Sequence, residues 1–445
     1  MDIQRDELKL DDLPPVESPE PDDRDELLQQ LIPTLSTEQT HDLYAVVMDD
    51  YQSALSDRTD WEDRLVVWDD QYYGRLPEKN FPWRGSSNLH VPLTMLGVET
   101  LKPRLIESVM GGDPPCHVVP IEAADDERRD RTELFLNWQL ATRLHLDERV
   151  PESAHLFMNP GTVIAKTYWK AERTRRRYVR TFPATTPVDE ILTNVLGNHV
   201  PSTFESKGSM SWKGTLPSSV AGGPPLEFEL TMRMGEDERL HVRVDRDELD
   251  ERPWIKMIEP TDFIVPANGG PDVHALPWCT ERLYHTEQDL RRYAQQGRFN
   301  ADVVTKLLKT RQPQGEDANL DSSGHREQQA DVEGIDPFAS DARGETYLVL
   351  EHYRRWDVDD DGFDEEIVCW VSPDLPDELL GWDYLDNVYA HGRRPYRVGR
   401  YFPIPFKFYG LSFPEIVRNL QDEINTIHNQ RVDSGTLANM PWYLY

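Results

Sequence analysis

The densest chemistry in this 445-residue chain is Asp357-Val358-Asp359-Asp360-Asp361-Gly362. Aspartates at loop positions 1, 3 and 5 with glycine at 6 are how a calcium loop opens. The twelfth position, which needs a bidentate glutamate, is Val368, and the flanks alternate as strands do. Asp-Gly between alternating segments is also a strong hairpin signal. The expectation is a plain hairpin turn, with Asp357, Asp359 and Asp361 as a weak metal candidate. A second cluster is basic: Lys170, Arg173, Arg175, Arg176, Arg177 and Arg180. Such a strip can hold phosphates or a neighbouring subunit. It can equally be a solvated strand pair that meets acidic surface on its own chain. Other catalytic patterns fail. The chain has no G-x-x-x-x-G-K-[ST], no H-E-x-x-H and no G-x-S-x-G, so P-loop, zincin and nucleophile-elbow chemistries are not expected. No glycosidase-type carboxylate pair stands out among 81 acidic side chains. Cys116, Cys279 and Cys369 are too sparse for a disulfide framework or a zinc site. They read as small buried hydrophobes. Neither enzymatic activity nor a cofactor is expected.

The elements that must position these groups follow from periodicity. Residues 1–35 hold 11 acidic and 3 basic residues and five prolines, the composition of a disordered acidic arm. Ser36 and Gln39 spell a capping box. Behind them Leu43, Val47, Tyr51, Leu55, Trp61, Leu65, Trp68 and Tyr72 predict one long helix, or two abutting, ending near Gly74. Residues 92–110 predict a second helix stopped by Gly111. Asp125–Leu146 predicts a third, with Leu134, Trp138, Ala141 and His145 on one face and His145 as a core histidine. Asn159-Pro160-Gly161 is a turn before a strand from Thr162. Residues 170–265 read as interrupted strands, with 203–225 an exposed loop or hairpin tip. Thr286–Leu308 reads as one helix capped by Thr286, and 311–344 as a polar linker. Two strands enclose the Asp-rich turn. The fold class is α+β.

The last helix, Ser412 to about Ala438, is the most informative. Phe413, Ile416, Leu420, Ile424 and Ile427 form one apolar stripe. The other face carries Arg418, Asp422, Asn425, Asn429 and Asp433. A surface helix on a core and a helix lining a wet channel both have this pattern. The chain carries 48 Lys plus Arg, and its net charge is −33. That argues against gripping nucleic acid by counterion release and suits a surface that keeps polyanions at a distance. No run approaches the roughly 18–20 apolar residues of a membrane span, and the N-terminus carries no apolar leader pattern.

Several segments in order carry a resemblance. They are Phe81-Pro82-Trp83-Arg84-Gly85-Ser86-Ser87-Asn88 with Val91-Pro92-Leu93; Leu134 to Trp138; Asn159-Pro160-Gly161-Thr162-Val163 running into Tyr168-Trp169; Ile258-Glu259-Pro260-Thr261-Asp262-Phe263-Ile264-Val265-Pro266; Cys279-Thr280-Glu281-Arg282; and Phe408-Tyr409-Gly410-Leu411-Ser412 with Gln421-Asp422-Glu423-Ile424-Asn425. Over roughly residues 40–440 the chain resembles the portal proteins of tailed bacteriophages, in particular the short-tailed branch. The resemblance implies a homo-oligomeric ring, typically a dodecamer, at one capsid vertex. Its partners would be the terminase, the major capsid or scaffolding protein, tail or head-completion proteins, and double-stranded DNA passing without sequence-specific binding. It would be a virion component assembled in the host cytoplasm.

On that map residues 36–310 are a wing of helices, mixed strands and hairpins, 311–344 a linker and 345–411 a β-hairpin part of the wing. Residues 412–438 are a tunnel-lining stem helix and 439–445 the start of a clip. The stem's polar face would line the DNA tunnel, and Ile416, Leu420, Ile424 and Ile427 would pack between subunits. The basic 170–180 strip would be a candidate inter-subunit contact. The family's remaining clip, second stem helix, tunnel loop and crown do not follow, so a fragment or a split gene is the expectation. Two other readings stay open: a calcium-assisted hydrolase using the 357–361 aspartates, and a virion adaptor or scaffold without a channel.

Overall fold

The computed structural model describes residues 35–121, 126–187, 190–191, 194, 203–208, 211–216, 226–235, 239–310, 346–359 and 361–440. All but the last residue of the expected arm (1–35), the expected linker (311–344), and the clip residues from 441 on lie outside the described residues. The chain divides into two compact units, and the division runs through the expected 36–310 domain. One unit takes its described residues from the chain up to Val67, Pro260–Arg394 and Ile404–Phe408. The other comprises Trp68–Glu259, Pro395–Pro403 and Tyr409–Tyr445.

The first unit is a helix on an antiparallel sheet. Helix α1 (Thr37–Tyr73) starts at the expected box: Gln39 N–H donates to Ser36 Oγ at 3.2 Å and Ser36 N–H to Gln39 Oε1 at 2.9 Å. Its apolar stripe, Leu43, Tyr44, Val47, Tyr51 and Ala54, packs on Ile264, Trp278, Leu350, Ile367, Cys369 and Val371. Those residues come from a five-stranded sheet made of β6 (Phe263–Ile264), β7 (Trp278–Thr286), β8 (Thr346–Trp356), β9 (Glu365–Val371) and β10 (Leu379–Tyr384). The strands run in the order β10-β9-β8-β7-β6. Cys279 and Cys369 are buried there as expected, and burial pushes the Cys369 thiol up to about 12. The predicted 286–308 helix is two: α5 (Glu287–Gln295), with Thr286 and Asp289 in a capping box, and α6 (Ala301–Thr310). Gly297, at φ +73°, reverses the chain between them, and Asn300 Oδ1 accepts the Asp302 N–H at 3.0 Å.

The second unit combines four helical elements with a six-stranded antiparallel sheet. Its helices are α2 (Leu93–Met110), α3 (Asp126–Thr142), α4 (Leu146–Met158) and α7 (Phe413–Ala438). Its sheet contains β1 (Thr162–Pro183), β2 (Thr203–Gly208), β3 (Ser211–Leu216), β4 (Leu226–Met234), β5 (Arg239–Ile258) and β11 (Tyr396–Arg400), in the order β11-β1-β5-β4-β3-β2. Strand alternation puts Phe228, Leu230 and Met232 with Leu240, Val242 and Val244 in one buried cluster. The expected third helix breaks after Thr142, where His145 takes a left-handed φ of +48° before α4. His145 is exposed, and so are Leu134 and Trp138. The core role expected for His145 is therefore wrong: the turn to α4 carries it to the surface. The 203–225 region contains the β2–β3 hairpin.

Candidate functional site

Helix α7 is where the sequence placed the function. Ser412 caps it, its Oγ accepting the Glu415 N–H at 3.0 Å, with proline at the first turn. The Glu415 carboxylate accepts the Trp68 indole N–H at 2.6 Å. The Gln71 amide donates to Thr94 Oγ1 at 2.7 Å and to Pro414 O at 3.1 Å. Two glycines allow the close approaches. A Cβ on Gly97 of α2 would stand 2.5 Å from the Phe413 ring, and one on Gly161, at φ +75°, would stand 2.6 Å from the Leu411 backbone.

Along α7, Gln421, Asn425, Asn429 and Asp433 recur every four residues and meet the 87–91 segment, which runs antiparallel to the helix, and Thr94 in the first turn of α2. Ser87 N–H donates to Asp433 Oδ1 at 2.8 Å, Leu89 N–H to Asn429 Oδ1 at 2.8 Å, and Val91 N–H to Asn425 Oδ1 at 2.9 Å. Asn429 Nδ2 returns a bond to Leu89 O at 3.0 Å, and Gln421 Nε2 one to Val91 O at 2.5 Å. Thr94 N–H donates to Gln421 Oε1 at 3.1 Å. Four helical residues rise about 6.0 Å and two extended residues about 6.6–6.8 Å, so the two periods stay in step over three rungs. The amides behave as a surrogate strand that supplies the 87–94 backbone with partners. Gln421 and Asn429 are buried. The Ser87 side-chain and backbone bonds hold the Asp433 carboxyl below the usual carboxylate range.

This geometry gives part of that face partners within the chain. Asn425, Asn429 and Asp433 hydrogen-bond within the chain to the backbone of residues 87–91. Arg418 and Asp422 are exposed. Ile416, Leu420 and Ile427 are 51%, 50% and 57% exposed, whereas Ile424 is half-buried. Sequence reasoning missed Gln421 and the 87–94 strap. The four-residue spacing of amide and carboxylate side chains was a usable signal, but nothing in the helix itself says which backbone it will serve.

The basic strip also moves. Arg177 Nε bonds Asp245 Oδ1 at 2.7 Å, Arg176 pairs with Glu248 at 2.8 Å, and Arg175 lies 4.0 Å from Asp247 and 3.9 Å from Glu229. The Arg177 bond, ahead of that from Arg243, holds the Asp245 carboxyl below its ordinary value despite burial. Arg180 donates to Asn194 O at 2.7 Å, and Lys170 sits over the Trp254 ring at 5.0 Å. The Arg173 side chain lies outside the described residues. Arg175, Arg176 and Arg177 are thus matched by acids of β4 and β5. The antiparallel register sets Arg175 opposite Asp247 and Arg177 opposite Asp245.

The Asp-rich turn is the expected hairpin between β8 and β9. Asp357 accepts from Asp361 N–H at 3.1 Å and Gly362 N–H at 2.8 Å, and Gly362 has φ +89°. One carboxylate oxygen each of Asp357, Asp359 and Asp361 lies within 4.8 Å of the others. Both Asp357 oxygens are already engaged by the turn's own backbone.

A mixed α+β chain of antiparallel sheets, ending its described part in a capped 26-residue helix, is compatible with a portal protein of a tailed phage. Residues 43–445 match the family described as phage SU10 portal protein, and the chain belongs to that family. Comparison with curated proteins gives no match. No helix among the described residues is long and apolar enough to cross a membrane.

Proposed function

We propose that copies of this chain close into a ring at one capsid vertex and form a conduit for double-stranded DNA, during packaging by a terminase and during ejection into the tail. Membership of the portal family supports this reading. The observation that carries it is the asymmetry of α7. Its amide ladder is used up within the chain, while Ile416, Leu420 and Ile427 leave an apolar stripe half exposed. A contiguous apolar stripe on a well-anchored helix favours a protein neighbour, and a head-to-tail ring needs unlike complementary faces on each copy. In this reading the stripe packs on the next copy, with Ile424 beside it. The exposed Arg418 and Asp422 are left to face the passage. Terminase, capsid or scaffolding protein and tail components are the partners such a ring would meet.

Negative-stain microscopy of the purified chain tests the reading. Rings with a central hole are the expected result, and discrete monomers at micromolar concentration would overturn it.

A further inference from the structure

Three cations surround one indole in the second unit. Trp254 of β5 is half-buried. Arg252 Cζ lies 4.8 Å from its ring centroid, Arg149 Cζ 5.0 Å and Lys170 Nζ 5.0 Å. The cations come from three elements, β5, α4 and β1. No two can be farther apart than twice that distance, and since a ring has two faces, at least two share one. The strand register sets Lys170 directly opposite Arg252, and like charges in such a pair repel.

The acids nearby answer this cluster in part. Glu152 accepts from Arg149 at 3.2 Å. Asp250 lies 3.5 Å from Arg252 Nε and also 3.4 Å from Arg143. The buried Nε atoms of Arg149 and Arg252 have no hydrogen-bond acceptor among the described residues. Each guanidinium offers five donors in a rigid fork suited to oxyanions.

We propose that Arg149, Lys170 and Arg252 around Trp254 form a site for a tetrahedral oxyanion of the phosphate class. A carboxylate presents two oxygens in one plane. Donors arriving from three elements match a group that presents oxygens in three directions.

The test is equilibrium dialysis of the full chain against radiolabelled inorganic phosphate, at ionic strength held constant with chloride. One saturable phosphate per chain is expected, displaced by sulfate far better than by acetate. The double variant Arg149→Gln/Arg252→Gln should bind about tenfold or more weakly, since each arginine supplies a charge-assisted bond. If circular dichroism shows that this variant does not fold, Lys170→Gln alone takes its place, with weaker binding again expected. Absence of saturable phosphate, equal displacement by acetate, or unchanged affinity in the folded variant would overturn the site.

Discussion

Asn429 shows what a single side chain does in this chain. It satisfies both backbone groups of Leu89 from a buried position. Asn429→Ala should remove both bonds, at about 0.5–1.5 kcal/mol per hydrogen bond, which a shift in urea midpoint would read. Asn429→Asp should be intermediate, because it keeps the acceptor and loses the donor. Asp433 adds a pH dependence. Its folded pKa is depressed, so its contribution is complete above the unfolded value near 3.8 and is lost as the pH falls through the lower folded value. Hydrogen exchange at Ser87 should accelerate in that acid window, and Asp433→Asn should remove the dependence. The sequence showed these residues as polar and on one face, which was right. It did not show the ladder, because an amide ladder to a strap and a wet wall have the same helical wheel. The ladder's partners lie 334–346 positions away in the chain.

At the scale of elements, α7 is seated by α2. Gly97→Ala should drive a methyl into the Phe413 ring and cost about 1–3 kcal/mol as overpacking, measurable as a lowered thermal midpoint. Gly97→Ala with Phe413→Leu should recover part of the loss, which a generic helix-propensity effect would not allow. The sheet of the first unit carries its own sensor in β8. His352 is fully buried, its Nδ1 2.8 Å from Thr280 Oγ1 on β7 and its Nε2 3.8 Å from Asp50 on α1. Burial, then Arg354 and Arg394, hold it well below its ordinary value near 6.5. The unfolded chain therefore takes the proton first. Stability is complete above pH 6.5 and falls as the pH drops toward the folded value. His352→Gln should flatten the fall in denaturant midpoint between pH 7 and pH 5. Caps and apolar stripes made α1, α2 and α7 legible, because those signals are local. The α3–α4 break at His145 and the α5–α6 break at Gly297 were not, since a left-handed residue inside a periodic stretch leaves the period intact.

For the whole molecule, charge and apolar area make opposite demands on assembly. Each copy carries −33, so copies brought together repel through solvent at low salt. The arginines that could have bridged copies at 175–177 are matched within their own sheet. The proposed contact through Ile416, Leu420 and Ile427 is apolar, and salt does not screen it. Ring formation should therefore rise as salt is raised from about 0.05 M to 0.5 M, where the screening length falls well below 10 Å. Sedimentation velocity at several salt concentrations reads this directly. Assembly through the basic strip would show the reverse trend, with rings dissolving as salt rises. Leu420→Asp should abolish assembly at every salt concentration while leaving the monomer's unfolding free energy within about 0.5 kcal/mol, because the residue is half exposed in the single chain. If the variant still forms rings, α7's stripe is not the subunit contact.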